Sequence, residues 1–266
     1  MRRRRIMARR ALWLCLLPVL LLAIAGLLPP IAQPPEYHQF AEQRQCFGVP
    51  HCLDTLSNLP FIAVGLAGLI FLGRAGAARH FADRRQMTAY RLFFAAVIGV
   101  GLASGYYHLA PDNARLVGDR AAIGIALMAW FAALIGERAS LAWGRRLLLP
   151  LLAAGLAGAL YWGWSEQAGR GDLRPYFVVQ LVPLLGVPLL LWLYPPRDSG
   201  DRDLVVVLCL YPLALACDLL DRPIAELTGQ LGGHTIKHLL AAGAAAWVLR
   251  GLSRRQPLPG RPGAPP

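Results

Sequence analysis

The stretch "GGHTIKHLLAAGAAAWVL", residues 232–249, decides how this chain is read. After two glycines it places His234 and His238 four residues apart, on one face of a helix, and then runs without a charge as far as Leu249. A segment this apolar approaches the ~20 residues a helix needs to cross hydrocarbon. Imidazoles are costly at that depth, so each one is a functional candidate.

Apolar runs of the same kind recur at residues 11–32, 58–74, 88–110, 119–136, 144–164, 175–195, 203–221 and 231–250. With 56% hydrophobic residues, 16% charged residues and a mean hydropathy of +0.45, the chain falls outside the soluble globular class. No alternation of polar and apolar residues over about 10 positions marks a membrane barrel. The sequence therefore predicts an all-α polytopic membrane helix bundle, a seven-helix core plus an extra N-terminal helix. Residues 1–32 read as a signal anchor or a signal segment, since small residues ending at Ala25 suit a signal peptidase. Residues 33–252 read as the seven-helix domain, and 253–266 as a disordered, basic, Pro-rich tail. Neither an internal repeat nor a broken helix is evident.

The net charge of +12 raises the question of a nucleic-acid partner, and the placement of the charges answers it. With "MRRRRIMARR" held in the cytoplasm and the helices alternating, only Arg44, Arg115, Arg120, Arg170, Arg174, Arg222 and Lys237 fall outside, and the other 20 of the 27 basic residues fall inside. That is the positive-inside pattern. It predicts a multi-pass protein, as in a bacterial inner membrane, with both termini cytoplasmic. No aromatic and basic face supports nucleic-acid binding.

The same frame makes the helix that ends in "GLASGYYHLAPDNARLVGDR", residues 101–120, run outward, while the helix carrying His234 and His238 runs inward. Ser104 and His108, four apart, then meet the two other histidines near the non-cytoplasmic face. Three imidazoles at one depth suggest zinc, which in catalytic sites takes three protein ligands and keeps a fourth position open. Thr235 follows His234 where H-E-x-x-H metalloproteases carry their base, so a base has to come from elsewhere. Asp119 is the candidate, either as that base or as the N-cap of the next helix. Ser104 is read either as an oxyanion donor or as a small packing residue. Asp218 and Asp221 are candidates to support a histidine. Lys237 is expected to snorkel to the interface, and His38 and His51 to be solvated. His80 falls in an inside loop, away from the site. Cys46 and Cys52, in "QCFGVPHC", are a candidate disulfide, while Cys15, Cys209 and Cys217 are expected to pack inside helices.

Ser-x3-His, an Asp eleven residues after that His, and His-x3-His opening the last helix together resemble the alkaline ceramidase family, in the superfamily that includes the progestin and adipoQ receptors. "TLSNLPF", residues 55–61, looks like the Ser-Asn motif opening that family's first core helix. The resemblance covers about residues 37–252. It implies a bacterial zinc-dependent intramembrane amidase acting on ceramide or a related N-acyl lipid. His108, His234 and His238 would hold zinc, Asp119 would handle protons and Ser104 would stabilise the oxyanion. The family's calcium-binding Glu is replaced by His51, so calcium is not expected. Two other classes stay open: a receptor-like or lipid-binding protein with a structural zinc, and a proton-coupled transporter.

Overall fold

The computed structural model describes residues 2–196 and 199–256, with side chains from Arg9 onward. Among the described residues the chain is all-α, and its β-structure is limited to one isolated bridge between Cys46 and Val49. The helices are α1 (Arg2–Leu27), α2 (Cys52–Leu56), α3 (Leu59–Gly73), α4 (Met87–Leu109), α5 (Asn113–Arg138), α6 (Leu141–Gln167), α7 (Arg174–Leu193), α8 (Asp201–Leu219), α9 (Asp221–Thr228) and α10 (Gly233–Arg254). Six spans are long and apolar enough to cross a membrane, and α8 with α9 makes a seventh if the bent pair is one span. The helix with the histidines, α10, matches these in length but opens with polar residues. The chain is a multi-pass membrane helix bundle, as its composition predicts. Of the expected 253–266 tail, α10 takes up the first two residues, and 257–266 lie outside the described residues.

Helix α5 runs through the centre of the bundle against α4, α6 and α7, while α10 packs on α8 and α3. Glycine sets the tightest of these contacts. A Cβ on Gly124 of α5 would stand 2.6 Å from the carbonyl oxygen of Gly155 on α6, so neither position tolerates a side chain. The expected N-terminal helix, α1, lies outside this core against α7. It is tied down by Arg174, whose Nη1 donates to the Ala25 carbonyl at 3.0 Å, and by the Leu173 amide, which donates to Ile31 at 2.8 Å.

Three features of the bundle differ from the sequence reading. Helix α5 begins at Asn113, not at Asp119, because Asp112 is the N-cap and its carboxylate accepts from the Arg115 amide at 2.7 Å. Asp119 therefore sits two turns inside the helix, and the capping role falls away. A helix is also broken: α8 and α9 meet at 81° around Leu220, with Asp218 and Asp221 on either side of the break. Finally, Cys15 and Cys209 are exposed on their helices and Cys217 is half-buried, so the three do not pack in the core. In a bilayer such positions face lipid, where a thiol is as acceptable as any small apolar group.

The end of the bundle opposite the histidine pair is closed by a buried ion pair. Arg255 meets Glu137 at 2.6 Å, the Tyr90 hydroxyl donates to Glu137 at 2.9 Å, and the guanidinium of Arg255 lies 4.4 Å over the Phe81 ring. His80 belongs to this end, with Nδ1 3.3 Å from the Arg255 carbonyl, and takes no part in the other histidine cluster.

Candidate metal centre

The three histidines of the cluster come from two helices that are far apart in the chain. His108 comes from the last turn of α4, just before Ala110 and Pro111 end the helix. His234 and His238 come from the first two turns of α10. That helix enters so close to the α8–α9 break that a Cβ on Gly233 would collide with the Cys217 carbonyl and stand 2.9 Å from the Asp221 Cα. Glycine at 233 is what allows the approach.

All three imidazoles are buried, and their rings form a nearly equilateral triangle, with centroid separations of 4.9, 5.0 and 4.7 Å. The Nε2 atoms of His108 and His234 are 3.1 Å apart, and one nitrogen from each of the three rings lies within 4.8 Å of the others. Tetrahedral zinc with Zn–N bonds of about 2.0–2.1 Å sets its ligand nitrogens about 3.3 Å apart, so the spacing fits such an ion.

The surrounding groups fix which nitrogens face inward. Nδ1 of His234 donates to the Asp218 carboxylate at 2.6 Å. Nδ1 of His238 is 2.8 Å from Ser57 Oγ, whose own proton goes to the Asp54 carbonyl at 3.0 Å, so Ser57 accepts from the ring. Both rings are thereby held with an Nε2 lone pair turned into the cluster, which is the tautomer a metal needs. His108 is held differently, by packing: its Nδ1 has no hydrogen-bond partner, and the Phe40 and Tyr107 rings lie 4.8 and 4.9 Å away.

Asp218 and Asp221, the two supporting candidates, both engage His234. Oδ1 of Asp221 accepts from the His234 amide at 2.9 Å, and its Oδ2 accepts from the Ala41 amide at 2.8 Å. Ser104 is buried one turn before His108 on the same face of α4. Asp119 is buried, with Oδ1 unpartnered, and lies within electrostatic reach of His234, Lys237, Arg120 and Asp218.

Several neighbours are not where the sequence reading put them. Lys237 does not snorkel outward. Its Nζ turns back to 3.3 Å from Asp218 and 3.1 Å from His234 Nε2, because a carboxylate on the packed α8 offers it more than the interface does. His38 and His51 are half-buried rather than solvated. His38 bonds the Tyr107 hydroxyl at 2.8 Å and Asn113 Oδ1 at 2.9 Å, and His51 bonds the Glu42 carbonyl at 2.7 Å.

These contacts belong to a cap. Residues 33–51 fold over the cluster, with the Phe40 ring tilted against the His234 ring at 4.2 Å between centroids. Cys46 and Cys52 are disulfide-bonded at a Cα–Cα distance of 5.6 Å, and Arg44 pairs with Glu42 at 2.5 Å while also reaching the Gln230 carbonyl. Ser57, Asp54 and Thr235 complete the lower wall, the Thr235 hydroxyl donating to Asp54 at 2.5 Å. "TLSNLPF" was the one sequence signal for this wall, and nothing local in the sequence marks Phe40.

Fold and site together define a membrane-embedded helix bundle with a capped three-histidine cluster at one end. Comparison with protein-family models, with curated proteins and with solved structures returned no match.

Proposed function

We propose that this chain is a zinc-dependent intramembrane amide hydrolase that cleaves the N-acyl bond of ceramide or a related N-acyl lipid. The observation that carries this reading is the set of three buried imidazoles, two of them held by Asp218 and Ser57 with Nε2 turned inward. His108, His234 and His238 would hold the ion. Bound there, zinc would supply Lewis-acid polarisation of an amide carbonyl and lower the pKa of a water to about 7. Asp119, whose buried Oδ1 has no partner, takes the proton of the attacking water and returns it to the departing amine. Ser104, one turn from His108, donates to the oxyanion. Asp218 and Ser57 keep their imidazoles in one tautomer, and Phe40 excludes bulk water from two of the rings.

The likeness to alkaline ceramidases in residue order and spacing supports the substrate class. The arginine distribution supports a bacterial inner-membrane location with both termini cytoplasmic and the cluster near the non-cytoplasmic face. Calcium has no part in the reading. Closure of the cluster by Phe40 favours a second reading, a receptor-like or lipid-binding bundle in which zinc is only a clamp. Lipid mass spectrometry on membranes containing the wild type or a His108, His234 and His238 triple-Ala variant separates the two. Consumption of N-acyl lipid by the wild type alone supports the hydrolase. Metal binding without lipid turnover supports the clamp.

A further inference from the structure

Arg120 follows Asp119 directly on α5, and its surroundings pose a charge problem the hydrolase reading does not use. Its residue exposure is 5%, and it makes no ion pair among the described residues. The guanidinium is held in an aromatic cage, 3.9 Å over Trp162, 5.1 Å from Tyr176 and 5.3 Å from Tyr37. One Nη2 hydrogen bond goes to Gln33 Oε1, a neutral acceptor, and Nη1 is buried with no partner at all. Rings and an amide position a cation and offset part of its desolvation, but they leave it without an ion-pair partner and with one donor unused. A buried guanidinium kept in this state suits an anion brought in by a ligand, since its fork geometry matches a carboxylate or phosphate.

The cage lies beside the metal cluster. Tyr37 packs on Phe40 at 6.4 Å between centroids, and Phe40 packs on the His108 and His234 rings. Asp119 precedes Arg120 on α5, and the Tyr37 ring links the guanidinium to Phe40 and through it to the histidines. Lys237 is a second cation at the cluster, through its contact with His234. Of the carboxylates at the cluster, Asp218 is already taken by His234 and Lys237.

Resting on the hydrolase reading, we infer that Arg120 is a specificity-determining residue that binds an acidic group on the amine side of the scissile amide. The substrate class is then an N-acyl lipid with an anionic head, such as an N-acyl amino acid, in preference to neutral ceramide. For N-palmitoylglycine the reaction is addition of water across the amide, giving palmitate and glycine. Tyr37 and Trp162 fix the guanidinium and leave Nη1 as the donor for the head group.

The test compares N-palmitoylglycine, its neutral methyl ester and palmitate as ligands and as substrates or products of the full-length protein in detergent. The expected result is that wild type binds the acid about tenfold or more tighter than the ester, as a charge-assisted hydrogen bond implies. Arg120→Met abolishes the preference and leaves ester binding unchanged, and Arg120→Lys keeps part of it. Equal binding of acid and ester by wild type, a result independent of how any variant folds, overturns the inference. So does palmitate binding as tightly as N-palmitoylglycine with the same dependence on Arg120. Hydrolysis reports separately: discrimination without turnover leaves the anion site standing and removes the hydrolase reading, while turnover without discrimination does the reverse.

Discussion

Asp218, at the end of α8, accepts the Nδ1 hydrogen of His234 on α10 at 2.6 Å, and on the other side of the break α9 begins with Asp221, which holds the His234 backbone amide at 2.9 Å. One histidine is thus fixed at both ring and backbone by the two ends of a broken helix. A carboxylate in this position orients the ring and raises its basicity as a ligand.

Asp218→Asn keeps the shape of the side chain and removes the charge that fixes the tautomer. It is expected to weaken zinc binding about 10–100-fold, the usual cost of losing such a partner. Ser57→Ala is expected to act in the same direction through His238, since the hydroxyl is the acceptor for its Nδ1. Competition with a chromophoric chelator measures both, and unchanged affinity in both variants would show that these partners are incidental.

Asp119→Asn separates chemistry from metal binding. The carboxylate makes no hydrogen bond to any of the three rings, so zinc content is expected to stay at the wild-type level. Turnover of N-acyl lipid is expected to fall about 10²–10⁴-fold, the range for loss of a general base. Full activity in this variant would remove Asp119 from the mechanism.

Gly155→Val tests the crossing of α5 and α6. A side chain there would meet Gly124 backbone atoms at 2.6–2.7 Å, and backbone cannot yield as a flexible side chain can. Overpacking of this kind costs about 1–3 kcal/mol. A clear drop in the thermal midpoint in detergent is expected, whereas Gly26→Val, with open space around it, should leave the midpoint in place.

The link that ties α1 to the bundle is acid-labile. Hydrogen bonds from the Arg174 guanidinium hold the Asp172 carboxyl below its ordinary value. A depressed carboxyl contributes stability above its unfolded pKa of about 3.9 and loses it as pH falls through the lower folded value. Wild type is therefore expected to melt alike at pH 7 and pH 5 and to lose midpoint below about pH 4. Asp172→Asn should melt lower at neutral pH and show a smaller drop on the acid side, as thermal scans across this range can establish.

How much of this was legible in the sequence depended on whether a residue's role follows from its own helix. His234 and His238 share a face by spacing, and charge counting brought His108 to the same end without any reference to histidine. Asp119 was misplaced as a helix start because Asp112, one residue after Pro111, competes for the cap and wins by reaching the Arg115 amide. Lys237 was read as an interfacial lysine because the pull of Asp218 exists only once α8 lies against α10. The cap was illegible for a related reason. Nothing local in 33–51 says that Phe40 covers two imidazoles or that His38 bonds Tyr107 across 69 residues of sequence.

The most direct test of the central claim is metal analysis of the purified full-length protein beside His234→Ala. The expected result is about one zinc per chain in the wild type and loss of both the metal and N-acyl lipid hydrolysis in the variant. A wild-type protein free of zinc after purification without chelators, or a His234→Ala variant that keeps its metal and activity, would contradict it.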